Sequence, residues 1–330
     1  MRCEACGSEK LATLLDSLSH RYEHDGVPGV WRYRLVECQE CGLGFIGSRP
    51  PREVLGTFYD QAYGCYTPDN DIERELKSGK YWVAKQRYSV VGSKGLQAII
   101  GTALGTAAEW ITGKTVSFSL GLPLQLSKDA NIFELGYGSG DWLILMSTLG
   151  YRNLSGYDID ANSENQSRLW AGGVKVSNGV FLENDYPDSY FDCIRLEHVF
   201  EHLSRPLEVL AKCRKMLKPG GWLLINSPCK NSWSMRLSLR HSAALQIPQH
   251  LYHHTPQSAC LMVKAAGLDV LKVKAYSVMA QLGATLNNML LERGKKGIPS
   301  FFFTPIAPLY KLFCTLTQKG DFITIWAKRG

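Results

Sequence analysis

The stretch "NIFELGYGSGDWLILM" (131–146) limits the fold more than any other part of the chain. A short apolar run reads as a buried strand, and glycines at 136, 138 and 140 read as a tight loop. "DWLILMSTLG" then reads as a helix. The segments that follow keep the alternation. "NLSGYDID" and "YFDCIRLE" are strands, "PLEVLAKCRKMLKPGG" is a helix ended by Pro and Gly, and "WLLINSP" is a further strand. Such a pattern predicts an α/β fold with a doubly wound, mostly parallel, Rossmann-like sheet. Two late β-rich segments, "LDVLKVKAYSV" and "DFITIWAKR", predict an antiparallel hairpin at one edge.

The spacing within the loop excludes two common nucleotide sites. A dinucleotide fingerprint needs its third glycine at 141, where the chain has Asp141, and no G-K-[ST] follows to make a phosphate-binding P-loop. Glu134, two residues before the first glycine, sets a carboxylate beside the loop. That is unfavourable for a pyrophosphate and suits a cationic amino-acid ligand. Asp158, at the end of the next strand, suits the two ribose hydroxyls of an adenosine-containing cofactor.

Ahead of this unit, Cys3-x-x-Cys6 and Cys38-x-x-Cys41 are each followed by a glycine, Gly7 and Gly42. A two-residue spacer lets both thiolates of a pair face one ion, so Cys3, Cys6, Cys38 and Cys41 predict a tetrahedral Zn2+ site that is closed and therefore structural. A hairpin around "VWRYRLVEC" fills the separation between the pairs. The other six cysteines are scattered and read as small core residues. The polar start "MRCEACGSEK" lacks an apolar signal-peptide core, so metal or thiol roles in a cytoplasmic protein are expected rather than disulfides. The expected organisation is a zinc ribbon over 1–48, a helical connector or cap over 49–126, and an α/β domain over 127–330.

The net charge of +7 belongs to the C-terminal part, where residues 270–330 hold nine Lys/Arg and two Asp/Glu. These cations are interleaved with Phe301, Phe302, Phe303, Tyr310 and Phe313. Cations among aromatics suit an anionic membrane surface, met peripherally through 293–313, or a phosphate-bearing ligand. An ordinary solvated basic face is the plainer reading. No uninterrupted apolar run reaches the length of a membrane span. Nucleic acid is not expected as a partner, because the ribbon has no basic excess and the charges over 195–255 are mixed.

Four blocks taken together, "ELGYGSGD", "YDID", "YPDSYFDCIRLEHVFEHL" and "LKPGGWLLINSP", resemble the class I S-adenosylmethionine-dependent methyltransferases over about residues 130–275. The resemblance implies S-adenosyl-L-methionine as cofactor. It would place Glu134, Gly136, Gly138 and Gly140 at the methionine part, Asp158 at the ribose and Val180 to Glu183 near the adenine, with Ile159 also among the cofactor-binding residues. The CxxCG pairs, "FYDQAY" and "GDFITIWAKR" are similar to methyltransferases encoded with glycan and polysaccharide biosynthesis enzymes. That likeness implies a sugar or glycan acceptor, nucleotide- or lipid-linked. A quinone or polyketide acceptor is the alternative. From another class comes a non-catalytic zinc-ribbon interaction protein with a vestigial methyltransferase fold.

Five of the eight histidines lie in "RLEHVFEHL" (195–203) and "PQHLYHHTP" (248–256). In a helix starting there, His198, Glu201 and His202 share one face. Three roles are open. His198 or His250, with Glu201, is an acid–base centre for a sugar hydroxyl. Alternatively the group binds a divalent metal: some methyltransferases carry E-x-x-E-H here, and this chain has H-x-x-E-H with His250 or His253 to complete the set. Lastly, Glu201 and His202 are structural, bonded to backbone at a helix start.

Overall fold

The structure is a computed structural model and describes residues 1–24, 27–48, 50, 54, 126–159 and 163–330. The connector expected over 49–126 lies outside these, apart from Pro50, Val54 and Leu126. The chain forms two compact units. The first takes Met1–Asp60, His198–Leu210 and Ile225–Ile325; the second takes Gln61–Glu197, Ala211–Leu224 and Trp326–Gly330.

The second unit is built on β4 (Asn131–Leu135), with β5 (Asn153–Asp158) parallel on one side and β7 (Phe191–Glu197) parallel on the other. β6 (Lys175–Asn178) lies parallel beyond β5, and the strand order continues past β7 to β8 (Leu217–Pro228), whose residues to Leu224 belong here. The central strands are buried along most of their length, as a parallel sheet covered on both faces demands. Helix α1 (Asp141–Thr148) buries Trp142, Leu143, Leu145 and Met146 among Ile132, Leu154, Cys193 and Leu169, the last from α2 (Ser163–Ala171).

Gly140 caps α1 at φ +79°, and a Cβ there would lie 2.5 Å from a Leu169 methyl. Gly140→Ala therefore adds backbone strain to overpacking. We expect it to destabilise the chain by about 2–4 kcal/mol, read as a shift of the urea midpoint at unchanged slope.

In the first unit β1 (Leu11–His24) and β2 (Val27–Cys38) form the expected antiparallel hairpin. Trp31, Tyr33 and Leu35 point inward while Arg32 and Arg34 are exposed, the alternation of a sheet with one covered face. β3 (Gly44–Ile46) pairs with β2 and then with β9 (Tyr252–His253). Helix α3 (Pro206–Met216) precedes β8, and α4 (Trp233–Leu237) follows it. Thr255 and Ser258 make a reciprocal capping box at the start of α5 (Pro256–Ala265). β10 (Asp269–Tyr276) and β11 (Phe322–Lys328) are neighbours at the sheet edge, β11 lying next to β8.

The expected edge hairpin needs correction in its connection. No turn joins β10 to β11; the link runs through α6 (Met279–Glu292), a 3-10 segment (Ser300–Ile306) and α7 (Ala307–Thr317). Among the described residues no helix is long and apolar enough to cross a membrane.

Candidate functional site

At the carboxyl ends of the second unit's parallel strands, the glycine loop is closed by its own backbone. Gly136 N–H donates to Tyr157 O and Gly140 N–H to Tyr137 O, each at 2.7 Å. Asp158 Oδ2 accepts the Gly138 N–H at 2.8 Å, so the buried acid expected at a ribose also ties the loop to β5. The next residue, Ile159, is exposed, as is Val180 just beyond β6, and Gly179 N–H donates to Asp158 O at 2.9 Å. Two exposed apolar side chains on neighbouring strand ends give a flat ring something to lie against. Glu183, in the 3-10 turn Phe181–Glu183, is exposed beside them in sequence.

Glu134 is buried and stands opposite Arg195 in the β4–β7 register, where the guanidinium donates to its Oε1. Arg195 also reaches Glu197 Oε2 at 3.0 Å and lies 4.4 Å over the Trp142 ring. Burial pushes the Glu134 carboxyl up to about 7, against the pull of the Arg195 charge. Its second oxygen, Oε2, is buried without a hydrogen-bond partner. A buried acceptor of that kind is costly unless a ligand cation meets it. Asp141, where a dinucleotide loop has glycine, takes a bracing role instead. It pairs with Arg168 at 2.8 Å and accepts from Ser139 Oγ at 2.9 Å.

In the first unit the "EHVFEH" segment is not an α-helix. His198 follows β7 with φ +53°, a left-handed conformation uncommon outside glycine, and only the 3-10 turn Phe200–His202 follows. His198, although outside that turn, still brings its Nδ1 to Glu201 Oε1 at 3.3 Å. The side chain of His198 is 41% exposed and that of Glu201 1%. Burial by itself raises a carboxyl, but the hydrogen bond from His198 and the rings of His198, His202 and His250 hold Glu201 well below the usual range.

His202 and His250 turn their Nδ1 atoms to backbone carbonyls, Gln249 O at 3.0 Å and Ala244 O at 2.9 Å. That geometry puts the proton on Nδ1 and the lone pair on Nε2. Glu201, His202 and His250 each bring a ligand atom to within 4.8 Å of the others. His250, expected as an alternative base, is 4% exposed, and burial pushes its pKa down to about 4. It is therefore a neutral, enclosed imidazole, and the exposed ring of the set is His198.

His254, fully buried and stacked 4.1 Å from Phe200, is likewise held down to about 4 by burial. A base depressed on folding stabilises fully above its unfolded pKa near 6.5 and loses that contribution as pH falls toward 4. We expect His254 to cost about 2 kcal/mol of stability between pH 7 and pH 5, with His250 acting in the same direction. Urea midpoints across that range should fall with acid, less steeply in a His254→Phe variant.

The four N-terminal cysteines converge. Cys3 Sγ lies 3.5 Å from Cys41 Sγ and Cys6 Sγ 3.5 Å from Cys38 Sγ, with all four within 4.8 Å. Sulfurs around a tetrahedral Zn2+ sit about 3.8 Å apart. Gly7 and Gly42 each donate back to the first cysteine carbonyl of their pair at 2.8 Å, at φ +74° and +73°. The cluster is fastened to later parts of its own unit: Thr255 Oγ1 donates to Cys41 O at 2.8 Å, Tyr252 Oη to Glu4 Oε2 at 2.7 Å, and Lys230 pairs with Glu37.

Residues 113–273 match the family model for a methyltransferase domain. A ubiquinone biosynthesis O-methyltransferase of Thiobacillus denitrificans is 26% identical over 149 residues, covering 42% of this chain and 64% of that protein. One of the same name from Burkholderia thailandensis is 25% identical over 171 residues, covering 48% of this chain and 73% of the relative. Among solved structures, a methyltransferase of Thermotoga maritima, a possible histamine N-methyltransferase by its name, aligns over 78% of this chain and 98% of its own. Its identity is 13% and its TM-score 0.43. The match to a methyltransferase domain thus lies on just under half of the chain, and the chain spans 64% of the first of these relatives. The matched domain and these relatives support an S-adenosylmethionine-dependent methyltransferase.

Proposed function

We propose that this chain transfers the methyl group of S-adenosyl-L-methionine to a small-molecule acceptor, and within that class to a sugar or glycan intermediate carried on a nucleotide or a lipid. The observation that carries methyl transfer is the glycine loop tied to Asp158 beside a buried, half-satisfied Glu134. The orphan Oε2 fits the ammonium of the methionine part, Asp158 the ribose hydroxyls, and Ile159 with Val180–Glu183 the adenine. The sugar acceptor is supported by the paired CxxCG layout, with Cys3, Cys6, Cys38 and Cys41 holding a structural Zn2+ whose four positions are all taken by sulfur.

The cofactor supplies a methyl group already activated on a sulfonium. The chain's residues have to hold the partners in line and accept the acceptor's proton. His198 is the proton acceptor in this reading, and Glu201, buried behind it, is a positioning residue that orients the imidazole. We expect His198→Ala to lower kcat by roughly 10²–10⁴-fold while leaving affinity for S-adenosylhomocysteine unchanged. The same change should remove the acid limb of the pH–rate profile. A merely structural His198 would leave that limb in place.

Calorimetry with S-adenosylhomocysteine tests the reading as a whole, since absence of binding would leave the zinc-ribbon interaction protein. Transfer of labelled methyl groups to nucleotide-sugar and lipid-linked pools, set beside demethylated quinones, tests the acceptor. The names of the relatives favour the quinone arm as the second reading.

The carbonyl-anchored rings of His202 and His250 with Glu201 support a further role for this group, as a divalent-cation site. Two metal equivalents per chain, one lost in His250→Ala, would bear that out, and one equivalent at every pH would sink it.

A further inference from the structure

The segment from α6 to α7 is apolar on two opposite sides. Its inner side is accounted for: Phe303 and Ala307 pack with Met279, Leu282 and Leu286, Cys314 is buried, and Tyr310 Oη donates to the buried Asp321 at 3.0 Å. Its outer side carries Phe302, Ile306, Leu309, Leu312 and Leu316, exposed by 60%, 48%, 69%, 55% and 75%. Leu309, Leu312 and Leu316, at three- and four-residue steps, make one stripe along α7, and Phe302 and Ile306 are exposed in the 3-10 segment that leads into it. A water-facing helix surface of that composition is a binding surface in waiting.

Charge says what it binds. From Arg293 to Gly320 the chain has no Asp or Glu and five cations: Arg293, Lys295, Lys296, Lys311 and Lys319. Arg293, Lys295 and Lys296 are exposed at the head of the segment. Glu292, just before them, is paired with His241. Trp233, half-buried, packs tilted against Phe313 at 5.0 Å between ring centres, and its indole N–H donates to Thr317 at 2.8 Å; an aromatic with one polar edge is the kind found at lipid headgroup depth.

We propose that this stripe lies in the surface of an anionic lipid bilayer, with Phe302, Ile306, Leu309, Leu312 and Leu316 among the acyl chains and the basic residues at the headgroups. Helix α7 has 11 residues, about 16 Å, too short to span and suited to lying in the plane. A second copy of the chain is the poorer occupant, because a two-fold contact through this face sets two acid-free basic segments against each other. The proposal does not rest on the methyl-transfer reading.

The test is co-sedimentation of the full chain with phosphatidylcholine vesicles, with and without one third phosphatidylglycerol. Three exposed cations predict binding to the anionic vesicles roughly a hundredfold tighter than to the neutral ones, weakening with salt. A Leu309→Glu/Leu316→Glu variant should lose binding to both. Lys295→Glu/Lys296→Glu should lose the preference for anionic lipid. Both variants change exposed side chains, and an unchanged melting temperature and circular dichroism spectrum show that they are folded.

Failure of the parent to bind either vesicle overturns the proposal, as does undiminished binding by the leucine variant. So does a lipid-independent dimer in sedimentation that the leucine variant dissolves.

Discussion

Replacing Asp158 by Ala is expected to weaken S-adenosylhomocysteine binding at least roughly a hundredfold, measured by calorimetry against the unaltered chain. Two losses combine. The ribose hydroxyls lose an ionised acceptor, and hydrogen bonds to charged groups contribute about 1.5–3 kcal/mol each. The Gly138 N–H, bonded to Asp158 Oδ2 at 2.8 Å, loses its partner, so the loop that must already be in shape when ligand arrives becomes freer. Asp158→Asn keeps the size and one carbonyl oxygen, and it should recover part of the loss. A change of less than about fivefold for the alanine variant would mean that this carboxylate braces the loop and does not hold ligand.

The second large effect concerns the cysteines. Cys38→Ser/Cys41→Ser should abolish the zinc equivalent and lower the melting temperature by about 10 °C or more. Zinc bound by four thiolates contributes about 10–16 kcal/mol in isolated finger peptides. Here the first unit has a packed interior of its own, so a loss nearer 5 kcal/mol is expected, and for a unit of about 170 residues that is a fall of about 10–20 °C in its melting. The thiolates are reached from several sides, through Thr255 on the Cys41 carbonyl and Tyr252 on Glu4, so the damage should extend to β9 and the start of α5. Unchanged metal content and melting in that double variant would show that the four sulfurs converge for another reason.

Much of the second unit is legible in the sequence, because a strand buried on both faces leaves an apolar run with glycines at its end. "NIFEL", "NLSGYD" and "FDCIRLE" all became parallel strands. Arg195 was missed as a site residue. The clue was a buried-strand charge in each of two neighbouring runs, Glu134 in "FEL" and Arg195 in "IRLE", which pairing across strands makes tolerable. The helix expected at "EHVFEH" was misread because charged residues at helical spacing look alike in a 3-10 turn. The helix expected at "PLEVLAKCRKM" does begin at Pro206, the first position of α3, where its missing N–H costs nothing. That Tyr252–His253 joins the ribbon's sheet is invisible to any periodicity, being two residues long.

That pairing has a consequence for the order in which the chain comes together on the ribosome. All four thiol ligands have emerged by Cys41, so an ion can be captured early. The edge of β3, however, stays without its partner until β9 appears some 200 residues later. At about 5–20 residues per second the wait is roughly 10–40 s. During that interval Gly44–Ile46 is an open, apolar strand edge of the kind that pairs with the wrong neighbour. If Cys3, Cys6, Cys38 and Cys41 hold zinc, its supply during translation should matter more than its supply afterwards for how much of the chain reaches its folded form.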